Sequence, residues 1–228
     1  LVMRSIGKAS VAKSQSSARL VSSVCCIVSA ACADDVPAEP SEPSSAKIPV
    51  FDKQQVPSSP RSREAVARVS SLLIPQLENL GLSYGAPIFI RIFKEERKLE
   101  FWFRQGKKYK LFRTYPIAAM SGQLGPKLLE GDRQAPEGFY YVSASRMNPN
   151  SRFHLSMNLG YPNHYDRVHG RTGSALMIHG GSASIGCFAM TDPKIEEIYA
   201  MSDAALRNGQ TFFRVHCFPF RMSEANMK

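Results

Sequence analysis

The residues with the greatest capacity for chemistry stand together in the run Leu176-Met177-Ile178-His179-Gly180-Gly181-Ser182-Ala183-Ser184-Ile185-Gly186-Cys187-Phe188-Ala189-Met190. Apolar residues lead to a histidine, and a loop of Gly, Ser and Ala leads on to a cysteine. Small residues let a backbone turn tightly and come close to a ligand. A thiol is mostly protonated at neutral pH, and a nearby imidazole can hold its thiolate and later return the proton. The backbone N–H groups of Gly186 and Cys187 are placed to stabilise an oxyanion. In outline this is a Cys–His acyl-transfer site, with Cys187 as nucleophile and His179 as base and then acid. A third group should orient the imidazole. The loop holds no acid, so a backbone carbonyl or Ser184 is expected there.

Other readings of the same residues stay open at this level. Cys187 could be a small buried hydrophobe beside a satisfied core histidine, or one half of a disulfide with Cys217. A zinc site from His154, His164, His169 and His179 has spacings of ten, five and ten residues, which match no compact ligand pattern. Neither a metal nor a cofactor is expected, because thiol chemistry needs none.

Positioning these groups requires a scaffold, and its elements are legible. Apolar residues at Val66, Val69, Leu72, Leu73, Leu77 and Leu80 have helical spacing, ending at Gly81. Pro75 falls inside that pattern, so a kink or two short helices are expected over 62–80. The period then changes. Runs at 87–94, 99–104 and 109–118, rich in Ile, Phe and Tyr, are separated by Glu95-Glu96-Arg97 and Gly106-Lys107 and read as a β-meander. Residues 138–145 form another strand, a long polar connection covers 146–173, and 175–178 form the strand that delivers His179. Asp192-Pro193 reads as an N-cap with proline at the first helical position, opening a helix that Asn208-Gly209 closes. A strand at 211–218 ends the folded part. The fold class is α+β, a mostly antiparallel β-sandwich-like domain with one or two packed helices.

The N-terminal region has a different character. Arg4, Lys8, Lys13 and Arg19 precede a modest apolar run over 20–31, then Ala31-Cys32-Ala33 and Asp34-Asp35. That order is expected of an export signal over 1–33, so the chain should act outside the cytoplasm. Cleavage after Ala33 would remove four basic residues and lower the net charge from +10 to +6. Residues 34–61, rich in Pro and Ser, read as a linker. A helical segment over 62–84, a catalytic domain over 85–220 and a tail over 221–228 follow.

Composition excludes wholesale disorder, with 43% hydrophobic and 21% charged residues. No stretch approaches the ~18–20 apolar residues of a membrane-spanning helix. The positive charge favours an anionic partner without naming one. His154, Tyr161, His164, Asp166, Arg167, His169 and Arg171 fall in the polar connection before His179. Arg171 and His169, with Tyr161 and Gly180, are the candidates for gripping a substrate carboxylate. Basic residues interleaved with Phe101, Trp102, Phe103, Tyr109 and Phe112 could stack single-stranded nucleic acid. Alternation instead explains these aromatics as the buried side of a sheet, so no nucleic-acid partner is expected. A non-catalytic wall-binding module is the better rival to an enzyme.

The His179-Gly180 pair with Ser184-Ile185-Gly186-Cys187 resembles the HG…SxGC signature of the L,D-transpeptidase (YkuD-like) family. Ala135-Pro136-Glu137-Gly138-Phe139-Tyr140 and Leu159-Gly160-Tyr161-Pro162-Asn163 are similar to two further family segments, and the resemblance extends over 87–218. Two departures stand out: Ile185 occupies the place of a second histidine, and Cys187 follows His179 by only eight positions. These features, with Ile90-Arg91-Ile92-Phe93-Lys94, Gly131-Asp132-Arg133-Gln134 and His169-Gly170-Arg171-Thr172-Gly173-Ser174, resemble the YafK-type branch. The resemblance implies a periplasmic enzyme that forms an acyl-thioester at diaminopimelate of a peptidoglycan stem peptide. It also implies, as the alternative, an amide hydrolase that releases the murein-bound outer-membrane lipoprotein.

Overall fold

The computed structural model describes residues 55–227. The export signal expected over 1–33 and most of the linker lie outside the described residues.

Helix α1 spans Pro60–Asn79. Ser59 caps it: its hydroxyl accepts from the N–H of Ser62, and the Ser62 side chain answers the Ser59 N–H, a reciprocal capping box. Ala65, Val69, Leu73 and Leu77 recur every fourth residue and are all buried. The helix is continuous through Pro75, where the sequence suggested a kink or two short helices. Pro75 and Ser71, whose carbonyl loses its helical partner, both face solvent, so water can replace the missing bond while the buried face continues on either side. Gly81, at φ +67°, lets the chain turn out of the helix, which few other residues would do without strain.

The expected meander follows, with β1 Ile88–Phe93, β2 Lys98–Gln105 and β3 Lys108–Pro116. Strand β4 is Gly138–Ser143. A 3-10 turn at Ala144–Arg146 takes the place of the end of the strand expected over 138–145, and the polar connection beyond it contains two short strands, β5 Met147–Asn148 and β6 Ser156–Asn158, and the short helix α2 His164–Val168. Strand β7 is Met177–His179 and β8 is Phe188–Ala189. Helix α3 covers Asp192–Arg207, and β9 is Phe212–Phe218.

Two sheets result. One has the order β3-β2-β1-β9-β4 and the other β5-β6-β7-β8. Pairing is antiparallel except between β1 and β9 and between β7 and β8. The architecture is α+β, as the sequence indicated. Residues of both sheets, α1 and α3 share one hydrophobic core, including Leu73, Leu77, Ile90, Phe101, Phe103, Ile178, Phe188, Ile198 and Val215. Phe101 and Phe103 therefore face inward, which removes them from any nucleic-acid stacking surface. Among the described residues no helix is long and apolar enough to cross a membrane.

The start of α3 differs by one residue from expectation. Thr191, at φ +70°, is the N-cap and makes no side-chain cap bond. Asp192 lies in the first helical turn, and its carboxylate instead accepts the N–H of Gly181 at 2.7 Å. A residue read as a helix cap therefore serves the loop that carries the reactive groups.

Candidate active site

Strands β7 and β8 run parallel, with Ile178 opposite Phe188 and His179 opposite Ala189. Continuing that register by one residue sets Cys187 opposite Met177, on the same face as His179. Because the two strands are parallel, the chain between them must cross over, and residues 180–187 do so in a loop without regular structure. Gly181 at φ +72° and Gly186 at φ +127° make its two sharp bends.

The loop is tied on several sides. The N–H of Gly180 donates to the carbonyls of Phe153 and Leu155, at 3.0 and 3.1 Å, and Thr191 N–H donates to Gly181 O at 2.8 Å. Gly180 is there because nothing larger fits. A Cβ at that position would lie 2.6 Å from Asp192 Oδ1 and 2.7 Å from the Phe153 carbonyl. Gly180→Ala is therefore expected to lower stability by about 1–3 kcal/mol, read from urea unfolding, with the loop as the first part to lose order. A change below about 0.5 kcal/mol would mean the loop is softer than this packing implies.

His179 is buried, and its Nδ1 lies 2.6 Å from the carbonyl of Gly180. A carbonyl can only accept, so Nδ1 carries the hydrogen and Nε2 is left as the basic nitrogen. The orienting group is thus a backbone carbonyl. The Ser184 hydroxyl instead donates to the Cys187 carbonyl at 2.7 Å, so it bends the loop rather than holding the imidazole. Phe153 packs on the imidazole with ring centroids 4.5 Å apart. Phe153 belongs to a turn fastened to the N-terminal helix: Arg61 donates to the carbonyls of Ser151 and His154, both at 3.0 Å, and Ser59 to that of Pro149 at 2.9 Å.

Cys187 is partly exposed, and its Sγ lies 3.6 Å from the carbonyl of Ala175. Cys217 is buried in β9, and both thiols are free, so the disulfide reading fails. Burial pushes the Cys187 thiol above its ordinary value, opposed in part by the Met177 N–H and the charge of Lys127. Burial pushes His179 down, opposed by its bond to Gly180. Both shifts favour the uncharged forms, thiol and neutral imidazole, over the ion pair that the residue types alone suggest. Among the described residues no hydrogen bond joins the two side chains.

A segment over 119–137 walls the other side. Ala119 bridges to Ala189 of β8, and the Gln134 carbonyl lies 3.4 Å from where a Cβ on Gly186 would stand. Lys94, 1% exposed, holds this segment from β1: its ammonium reaches Gly125 O at 2.7 Å, Ala135 O at 3.0 Å and Glu137 Oε1 at 2.9 Å. Lys127, also buried, pairs with Asp132. That ammonium and the N–H groups of Leu128, Leu129 and Gln134 hold the Asp132 carboxyl well below the usual carboxylate range, although burial opposes them. Sequence reasoning missed the two lysines as parts of the site. Asp132 and Glu137 did lie inside a segment noted for its resemblance, which was the available signal.

The remaining candidates sit further off. Arg171 pairs at 2.7 Å with the buried Asp166, which also accepts from Tyr140 at 3.1 Å. Tyr161 is buried and donates to the Lys127 carbonyl at 3.1 Å. His169 is exposed and stacks on Tyr165, with centroids 4.0 Å apart. The four histidines weighed for zinc do not meet: His154 bonds Glu196 at 2.7 Å, and His179 is held by Gly180. Among the described residues no group of three or more potential ligands gathers.

Comparison with known proteins matches residues 87–211 to the family model YkuD, described as the L,D-transpeptidase catalytic domain. The protein YafK of Escherichia coli, provisionally named an L,D-transpeptidase, is 49% identical over 144 residues in each of two strains. The match covers 63% of this chain, which spans 58% of the length of those curated relatives. Among solved structures, the helical cell shape determining protein Pgp2 of Campylobacter jejuni is 22% identical with a TM-score of 0.46, over 62% of this chain and 53% of that one. Bd1075 of Bdellovibrio bacteriovorus is 24% identical with a TM-score of 0.41, over 62% of this chain and 51% of that one.

Proposed function

This chain belongs to the L,D-transpeptidase catalytic-domain family, and on that premise we propose that it is a cysteine acyltransferase acting on peptidoglycan stem peptides. The observation that carries the reading is the crossover between β7 and β8. It sets Cys187 and His179 on one face, with the His179 tautomer fixed by Gly180 so that Nε2 is free to take a proton.

The resting charge states define the order of events. Neutral His179 removes the proton from Cys187 as the thiol attacks the carbonyl on the L-centre of diaminopimelate. The carbonyl oxygen becomes an oxyanion facing the N–H groups of Gly186 and Cys187. His179 then gives its proton to the departing amine, the C–N bond breaks, and a thioester remains on Cys187. Water attacking that thioester gives hydrolysis, and an amine gives transpeptidation. Both restore the thiol. Lys127 favours the thiolate by its charge, because it is the cation that acts on Cys187 in the resting site.

Hydrolysis of the lipoprotein–murein amide is a second reading, and the exposed loop tip favours it. Ile185, 80% exposed, stands where the resemblance leads one to expect a second histidine, so the loop tip turns to solvent and holds no imidazole there. The deciding test incubates the protein with sacculi that carry covalent lipoprotein and reads the muropeptides by mass spectrometry. Disappearance of lipoprotein-derived Lys remnants means hydrolysis, whereas new diaminopimelate–diaminopimelate crosslinks or Lys exchange mean transpeptidation. If the muropeptides are unchanged, the acyltransferase reading is wrong and a wall-binding module takes its place. Substrates of this kind lie in the periplasm, so export belongs to the same proposal.

The thiol makes a separate prediction. With its pKa raised by burial, Cys187 should react slowly with iodoacetamide at pH 7, and its rate should climb as pH rises beyond the ordinary thiol value. Cys217 is buried and should stay unmodified. Fast alkylation of Cys187 at neutral pH would show that the resting pair is ionised after all.

A further inference from the structure

We propose that a pocket between β4 and α2 binds a free carboxylate of a peptide ligand through Arg146 and Arg167; this deepens the stem-peptide reading and rests on it.

The pocket has a volume of about 280 Å³, and Arg146, Arg167, His164 and Asn163 are among the residues that line it. Arg146 is held in place before any ligand arrives. Its Nη1 donates to the carbonyls of Tyr141 at 2.6 Å and Leu159 at 3.3 Å. One face of the guanidinium lies 4.0 Å from the centre of the Tyr141 ring. Gly160, at φ +75°, passes against it so closely that a Cβ would overlap the guanidinium. The glycine is thus what makes room for the arginine. Arg167 donates to the Pro162 carbonyl.

No acidic residue is among those that line the pocket beside these two arginines. Arg68, Arg91, Arg113, Arg171, Arg207 and Arg221 each face a carboxylate. Arg146 and Arg167, like Arg61, bond only backbone carbonyls, which do not neutralise them. A guanidinium has five donors in a flat fork, and the fork matches a carboxylate in a two-point contact. A volume this small suits the carboxylate-bearing end of a ligand rather than a whole drug-sized molecule. Two leucines connect the pocket wall to the reactive loop. Leu159 N–H donates to Leu176 O at 2.9 Å, and the Leu176 side chain lies 3.6 Å from where a Cβ on Gly186 would stand. A stem peptide presents several carboxylates, and holding one here would fix the peptide while another part meets Cys187.

The test measures binding by calorimetry on the Cys187→Ala protein, so that turnover cannot intervene. Probes are the tripeptide L-Ala-D-Glu-diaminopimelate, its fully amidated form, the unrelated acetyl-Ala-Glu and inorganic phosphate. The tripeptide should bind, and amidation should weaken it about tenfold. Arg146→Gln and Arg167→Gln should each cost about tenfold with the free tripeptide and nothing further with the amidated one. Circular dichroism and thermal unfolding screen each variant. Arg167, exposed and bonded once, serves if the Arg146 variant does not fold. Tripeptide binding that ignores both substitutions overturns the pocket and leaves the stem-peptide reading standing. Arginine-dependent binding of acetyl-Ala-Glu without the tripeptide supports the carboxylate site and overturns the stem-peptide reading. Binding of phosphate alone, or of none of the probes, overturns the pocket.

Discussion

Cys187→Ala is expected to lose turnover on sacculi by about 10⁴-fold or more while leaving the unfolding midpoint almost unchanged. The two halves of this result have different causes. The thiol is the atom that would form the thioester, and the hydroxyl groups of the crossover loop, Ser182 and Ser184, are much weaker nucleophiles without a base beside them. Its contribution to the fold is small, because it is partly exposed and its polar contact is a 3.6 Å approach to the Ala175 carbonyl. Removing one sulfur from such a position should cost about 1 kcal/mol or less. Urea unfolding and muropeptide mass spectrometry on the same preparation separate the two. Turnover that survives the substitution would show that Cys187 is not the nucleophile. A loss of several kcal/mol would show that the thiol is a core group, as the bland reading of a cysteine after a glycine holds.

Lys94→Met should have the opposite signature, a large loss of stability with the reactive residues untouched. The buried ammonium serves two carbonyls and the Glu137 carboxylate, which also accepts the Gly125 N–H at 2.7 Å. Methionine fills similar space and leaves these acceptors facing an apolar chain. Removing one partner of a buried pair costs about 3–5 kcal/mol, a large share of a typical total of about 5–15 kcal/mol. The segment over 119–137 would loosen first and take the Gln134 carbonyl away from Gly186, so turnover should fall at temperatures where the rest remains folded. Adding Glu137→Gln should recover part of the loss by removing the stranded charge. A loss below 1 kcal/mol in the single variant would mean that the Ala119–Ala189 bridge holds the segment without Lys94.

Much of the scaffold was legible because its signals are local. The β1–β3 meander follows from Ile-, Phe- and Tyr-rich runs with charged turns, and the α1 face from helical spacing at Val69, Leu73 and Leu77, although Leu72 and Leu80, read with them, are exposed. The candidate thiol, the histidine and their loop could be picked out for the same reason, since all lie within one short run. What could not be read is what depends on distant partners. Strands β5 and β6 are two and three residues long and exist because β7 pairs with β6, so no periodicity could announce them. The orientation of His179 by Gly180 depends on backbone geometry that residue types do not encode. Arg171 was read as a grip for a carboxylate, and its pairing with Asp166, five residues earlier, depends on how the chain turns after α2. Lys94 stood in a segment noted for its resemblance, yet nothing local marked it or Lys127 as buried, which follows from the packing of the segment over 119–137.

The turn that places Phe153 against His179 has a consequence for where this protein can be cut or spliced. The family match starts at residue 87, yet the turn is fastened by Ser59 and Arg61 at the head of α1. A fragment trimmed to the match would retain every signature residue and still lack the fastening behind its imidazole. The transplantable unit is longer than its motif, and any chimera or minimal version has to begin at the Ser59 cap to carry the chemistry with it.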